Sequence, residues 1–194
     1  MRMDSGSVSS VLVVCSANRC RSVMAQAMLT HNLGAVAQVD SAGLLEPGLP
    51  PTPETVVAMR RYGLDVTWHR SRTVTAGQLR SADLVLAMTR EHVRHVVVTE
   101  PSAWARTFTL KELLRRGGQT GPRRSGESLA DWLAHVHEGR ERSALLGDSP
   151  ADDVADPVGG PPRAYALTVS ELDRLLTELA GLGWGGPDDV PSRL

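Results

Sequence analysis

Four consecutive apolar residues, Val11-Leu12-Val13-Val14, read as a short strand buried on both faces, because an unbroken β-branched run suits the middle of a parallel sheet. Met1 to Ser7 carry no such pattern and are expected to be a loose end. From Arg21 the period changes. Val23, Met24, Ala27, Met28 and Leu33 recur at helical spacing, and Gly34 supplies the stop. A second strand is expected over Ala35 to Asp40, with Ala35, Ala37 and Val39 on one face and Ser41-Ala42-Gly43 ending it. After a loop rich in proline (Pro47, Pro50, Pro51), Thr52 caps a helix with Pro53 at its first position, running to Tyr62 and closed by Gly63. Asp83 to Met88 reads as a third strand, Arg90 to Val97 as a helix, and Thr107 to Leu110 as a fourth strand.

Strands alternating with helices predict a parallel sheet covered on both faces. One stretch departs from the alternation. Arg115 to Gly126 holds four Arg and four Gly, which predicts a mobile loop. Beyond it, Leu129, Trp132, Leu133 and Val136 make an amphipathic stripe for one extra helix. A last helix, Pro162 to Leu179, carries Leu172, Leu175, Leu176 and Leu179.

Composition narrows the class. A chain of 194 residues is expected to form one domain, and its 21 basic and 22 acidic residues nearly cancel, so electrostatics point to neither nucleic acid nor a charged membrane. No apolar run approaches a membrane span, and Val11 to Val14 is too short for a signal peptide. Cys15 and Cys20 are the only cysteines; a disulfide scaffold is excluded and a cytoplasmic location is expected. Two motifs are rejected on context. Gly181-Leu182-Gly183-Trp184-Gly185-Gly186 is a literal Gly-x-Gly-x-x-Gly, but it follows a helix where a dinucleotide site needs a strand before it. His135 and His137 face different ways on a helix, and neither cysteine has companions at zinc spacing, so no metal is expected.

The candidate chemistry lies in Cys15-Ser16-Ala17-Asn18-Arg19-Cys20-Arg21-Ser22, between the first strand and the first helix. A loop between a parallel strand and a helix N-terminus turns its backbone N–H groups toward one spot, which binds anions and phosphate above all. Cys15 opens that loop, so its sulfur lies in the same positive field, which favours the attacking thiolate form. Arg21 closes it with a planar fork suited to phosphoryl oxygens, and Ser22 is placed to donate a hydrogen bond to the sulfur.

This segment resembles the phosphate loop of the low-molecular-weight protein tyrosine phosphatases, a superfamily that includes some arsenate reductases. Ser41-Ala42-Gly43, His69-Arg70-Ser71-Arg72, the Asp83 to Met88 strand with Arg90-Glu91-His92, and Asp156-Pro157 resemble further segments of that family. The resemblance covers roughly residues 9 to 114 and 153 to 180, with an insertion at about 115–150. It implies a single three-layer α/β sandwich over residues 1–194, of the phosphotyrosine protein phosphatase I type, with a four-stranded parallel sheet ordered 2-1-3-4. It further implies a metal-independent phosphomonoesterase without a cofactor, working through a phosphocysteine. Cys15 would attack phosphorus, Asp156 would serve as general acid and then base, and Arg21 with the loop amides of Ser16 to Arg21 would hold the transition state. Asn18, supported by Ser22, Ser41 and His69, would be the loop's structural pin. Cys20 would be a redox partner of Cys15. The implied partners are a phosphorylated protein or a small phosphorylated metabolite, with inorganic phosphate as product.

Three departures from the family pattern bear on substrate. After Asp156-Pro157 stand Val158, Gly159 and Gly160 where an aromatic is expected, and the loop Leu44 to Leu49 lacks another. Arg19 stands where tyrosine phosphatases commonly have an aliphatic residue and arginine phosphatases a Thr, which predicts a preference for a second negative charge near the phosphate. Ala17 replaces a usual Gly and Val23 a usual Pro. The leading expectation is a protein tyrosine phosphatase. The others are a phosphatase of a non-aromatic molecule such as a sugar phosphate, a thiol-dependent arsenate reductase, and a catalytically silent phosphate-binding module. The 115–150 insertion is weighed as a lid carrying Trp132 as substitute aromatic, against a helix that packs Trp132 into its own small core.

Overall fold

The apolar run at Val11 to Val14 lies in the centre of a parallel sheet in the computed structural model, which describes residues 8–185. The strands are β1 (Ser9–Cys15), β2 (Ala37–Gly43), β3 (Leu84–Ala87) and β4 (Thr107–Thr109), in the order β2-β1-β3-β4. Val13 pairs with Ser41 on one side and Leu86 on the other. Side chains alternate across β1, so Val11, Val13 and Cys15 join one core and Leu12 and Val14 the other. Both faces are covered, which is why the strand needs no polar residue between Val11 and Cys15.

The first face packs against α1 (Arg21–Leu33) and α7 (Pro162–Trp184), through Met24, Met28, Leu172 and Leu176. Also on this side are α2 (Pro53–Tyr62), α5 (Leu110–Thr120) and α6 (Leu129–His137). The second face packs against α3 (Ala76–Ser81) and α4 (Arg90–Thr99), through Leu79 and Val96. The result is a three-layer α/β sandwich with the strand order implied above. No described helix is long and apolar enough to cross a membrane.

Four readings of the sequence need correction. Ala35 lies in a 3-10 turn (Gly34–Val36), and β2 runs on through Ser41-Ala42-Gly43 because it stays paired with β1 as far as Cys15 opposite Gly43. Arg115 to Thr120 are helical, not a mobile loop. Thr109 caps α5 by accepting from the Glu112 N–H at 3.1 Å, and Leu110, Leu113, Leu114 and Gly117 form a buried face. Gly117 serves close packing: a Cβ there would lie 3.1 Å from the Trp132 ring. Trp132 itself is 1% exposed, joined to the main core, and donates from Nε1 to the Gly121 carbonyl at 2.9 Å, so it is neither at the pocket mouth nor in a separate core. The last helix runs five residues beyond Leu179, to Trp184, with Leu182 and Trp184 packed on the core.

Short α3 is absent from the sequence reading because six residues carry too little periodicity. Its signal was a reciprocal cap, Thr75 with Gln78. The loose end Met1 to Ser7 and the final Gly186 of the rejected glycine motif lie outside the described residues.

Candidate active site

Strand β1 ends at Cys15 and α1 begins at Arg21, so residues 16–20 form a tight loop over the C-terminal edge of the sheet. Carbonyls of this loop are taken up from outside. Ser16 O accepts from the Leu44 N–H at 2.6 Å and Arg19 O from the Thr52 N–H at 3.1 Å. Asn18 O, a carbonyl and therefore an acceptor, accepts a hydrogen bond from His69 Nε2 at 2.8 Å. Engaging these carbonyls from outside is the arrangement expected of a loop that uses its amides for an anion. No side chain caps α1, and no acidic residue stands in its first turn, so the positive end of the helix is presented to the same place.

Asn18 has φ of 52°, the one non-glycine among the described residues in the left-handed region. Its side chain fastens that conformation. Nδ2 donates to Ser22 Oγ at 2.9 Å and to Ser41 Oγ at 2.8 Å, while Oδ1 accepts from the Arg72 N–H at 2.9 Å. Ser41 passes its own proton to Gln26 Oε1 at 2.6 Å. Having accepted from Asn18, Ser22 directs its hydroxyl proton at Cys15 Sγ, 3.0 Å away. Burial lowers the His69 pKa and keeps the ring neutral, with Nε2 carrying the proton that Asn18 O accepts. Ala17 does not adopt positive φ, so its side chain does not strain the loop.

Gly43 explains the Ser-Ala-Gly segment. A Cβ there would lie 2.7 Å from Asn18 N, 2.8 Å from Ser16 O and 2.9 Å from Ala17 C. All three are backbone atoms of the loop, so nothing flexible could yield.

Arg21 is 4% exposed and bridges distant parts of the chain. It donates to the Val154 carbonyl at 3.1 Å, to Ser16 Oγ at 3.2 Å and to Asp156 Oδ2 at 2.6 Å. His92 was missed as a participant. Its Nε2 lies 3.0 Å from Ser16 Oγ and its Nδ1 3.0 Å from Thr89 Oγ1. Burial, with the Arg21 charge beside it, pushes the His92 pKa down to about 3, so the ring is neutral at physiological pH. Ser16 Oγ thus accepts from Arg21 and links it to the neutral His92 ring, whose two nitrogens, one donor and one acceptor, meet Ser16 and Thr89. The sequence signal was its place in the first turn of the helix after β3, a position at the C-terminal edge of the sheet.

Cys20 is buried, and burial pushes its thiol up to about 12. Both cysteines are free thiols. The pocket has a volume of about 70 Å³ and is lined by Cys15, Ala17, Arg19, Cys20, Arg21, Thr52, Asp156 and Val158. None of these is aromatic. Arg19 sits at its edge, with Nε donating to the Pro50 carbonyl at 2.7 Å. Among the described residues, no group of three or more His, Cys, Asp or Glu is placed to hold a metal ion.

A buried thiol at the end of a strand, a loop leading into a helix N-terminus and an arginine held against a carboxylate from 135 residues away meet at this pocket. Residues 10–121 match the family model for low molecular weight phosphotyrosine protein phosphatase. The chain belongs to that family. It is a cysteine-dependent phosphatase. The chain is 31% identical to a probable low molecular weight protein-tyrosine-phosphatase, EpsP, of Ralstonia solanacearum, over 68% of this chain and 91% of that protein. It is 29% identical to a protein-arginine-phosphatase of Geobacillus stearothermophilus, over 88% of this chain and 93% of that protein. The crystal structure of the low molecular weight protein tyrosine phosphatase of T. tengcongensis superposes with a TM-score of 0.66 at 31% identity, covering 88% of this chain and 97% of that one.

Proposed function

We propose that the protein hydrolyses phosphotyrosine in protein substrates through a phosphocysteine on Cys15. The observation that supports this reading is the Arg21–Asp156 contact at 2.6 Å beside the Cys15 loop, which brings the carboxyl proposed as proton donor to the guanidinium proposed to hold the phosphoryl group. In the first step the Cys15 thiolate forms a bond to phosphorus as the bond to the tyrosine oxygen breaks, and Asp156 gives that oxygen its proton. In the second, the Asp156 carboxylate takes a proton from water, whose oxygen attacks the phosphocysteine and releases phosphate and the thiolate. Arg21 and the loop amides balance the charge on the equatorial oxygens through both steps. Ser22 steadies the thiolate as leaving group. Cys20, protonated at neutral pH and next to Arg21 in the chain, is the proposed resolving thiol should Cys15 be oxidised.

Relatives are named for both tyrosine and arginine phosphatases, so the substrate has to be argued from the pocket edge. Phosphoarginine carries its own guanidinium cation next to the phosphoryl group, and Arg19 at the mouth would repel it. A phenyl ring suits the same place, lying against the Arg19 plane on one side and apolar Val158 on the other. Arg19 would also attract a second anionic group close to the phosphate.

The second reading, a small non-aromatic phosphate, draws on the lack of any aromatic lining residue. One panel separates them: kcat/KM for a phosphotyrosine peptide, a phosphoarginine peptide and sugar phosphates, on wild type and Arg19→Ala. The expected result is phosphotyrosine ahead of phosphoarginine by about tenfold or more, a gap of about 1.4 kcal/mol, narrowing in Arg19→Ala. Faster turnover of phosphoarginine or of a sugar phosphate by wild type would overturn the assignment.

A further inference from the structure

The proposed acid, Asp156, lies on a segment without helix or strand between the 3-10 turn Arg142–Leu145 and α7, 44% exposed at its side chain. A proton donor on such a segment works only if something fixes its position. Two to four residues upstream the chain is held tightly. The Val154 N–H donates to the Met88 carbonyl, one residue beyond β3, at 2.8 Å. Asp153 Oδ1 accepts from the Arg90 N–H at the start of α4, at 2.8 Å, and its Oδ2 accepts from the Ser149 N–H at 3.1 Å. Asp152, 4% exposed, receives Arg90 and Arg115, each at 2.6 Å. Burial acts to raise the Asp152 pKa, but the hydrogen bonds and charges of Arg115 and Arg90 outweigh it and hold the carboxyl below its ordinary range.

Lys111 stands at the centre of this arrangement. It is the only lysine among 21 basic residues. From the first turn of α5 its Nζ donates to the Asp153 carbonyl at 2.7 Å and approaches the Pro150 carbonyl at 3.5 Å. It also pairs with Glu171 Oε1 of α7 at 2.7 Å. An ammonium offers three donors radiating from one nitrogen, which matches two carbonyls and a carboxylate converging from three directions; a planar guanidinium does not.

We infer that Lys111 is a positioning residue for the reaction: it ties the Asp153 backbone to α5 and α7 and so sets where Asp156 presents its proton to the leaving oxygen. The inference rests on the reading of Asp156 as general acid. It also gives the region after α4 a part in the chemistry, because Lys111 and Arg115 anchor the loop from α5.

The test uses leaving-group dependence. A general acid matters most when the departing phenol is a poor leaving group, so its loss is felt more with phenyl phosphate than with para-nitrophenyl phosphate. Lys111→Met keeps the side-chain stem and removes all three donors. Read as kcat/KM, which covers only the steps through release of the phenol, it is expected to leave para-nitrophenyl phosphate within a few-fold of wild type and to lower the value for phenyl phosphate by about tenfold. Asp156→Asn, run alongside, shows the same bias more strongly. Equal loss on both substrates in Lys111→Met, with Asp156→Asn biased, overturns the role of Lys111 alone. No bias in Asp156→Asn overturns the general-acid reading and the inference with it. If Lys111→Met fails to fold, Glu171→Gln removes the α7 anchor, leaves both carbonyl bonds, and is expected to show the bias in weaker form. Its absence there overturns the inference.

Discussion

Cys15→Ser is expected to lower kcat on para-nitrophenyl phosphate by a factor on the order of 10⁴ or more while leaving the fold and phosphate binding in place. Cys15 is 3% exposed and its sulfur touches Ser22 Oγ at 3.0 Å, a contact that a hydroxyl can also make, so the packing hardly changes. The chemistry does change. A serine hydroxyl is a far weaker acid and nucleophile than a thiol, and Asp156 is bound to Arg21 rather than placed to act as base toward residue 15. Steady-state hydrolysis, with phosphate binding followed by calorimetry, checks both halves. Retained turnover would move the nucleophile elsewhere.

Arg21→Lys is expected to lower kcat/KM by roughly 10² to 10³, about 3 to 4 kcal/mol of transition-state stabilisation, even though the charge is kept. Two guanidinium nitrogens reach Val154 O, Ser16 Oγ and Asp156 at once, and the planar group leaves its remaining N–H donors to converge on a phosphoryl group. An ammonium reaching from the same backbone position can satisfy one or two of these. It would leave a buried carbonyl or hydroxyl without a partner and Asp156 without its anchor. Phosphate inhibition and kcat/KM for the same aryl phosphate, measured together, report the two losses. A change of less than threefold in either would show that the fork is not required.

The strand, loop and helix from Val11 to Leu33 were legible because everything that defines them is local. A β-branched run, a thiol, an arginine six residues later and a helical apolar period all lie within one stretch. Asn18 and Asp156 were reachable through the family resemblance, as were Ser22, Ser41 and His69 around Asn18, but the Arg72 N–H on Asn18 Oδ1 and the Arg21–Asp156 contact were not. The partners of Asn18 come from β2, from residue 69 and from residue 72, and only the folded sheet edge brings them together. Gln26 and Lys111 carry no motif at all, and His92 stands in a segment that resembles the family's with no role attached to it. Each is an ordinary helical polar residue until its neighbours across the sheet are known. The Arg- and Gly-rich stretch misled for a physical reason. Glycine was read as freedom at Gly117, where it is in fact the absence of a side chain beside the Trp132 ring. Ala17 and the strand end at Gly43 carry the same lesson in reverse. Conformation demands left-handed backbone at Asn18, not at residue 17, and close approach rather than a turn explains the glycine of the Ser-Ala-Gly segment.

The most direct test of the account is to trap the phosphoenzyme. Asp156→Asn lacks the base for the second step, and para-nitrophenyl phosphate needs little acid in the first, so the intermediate should accumulate in that variant. Rapid quenching followed by intact and peptide mass measurement is expected to find one added phosphoryl group, on the peptide that contains Cys15, absent when Cys15 is also replaced by Ser. A phosphoryl group on any other residue, or turnover with no phosphoenzyme at any quench time, would contradict catalysis through a Cys15 phosphocysteine.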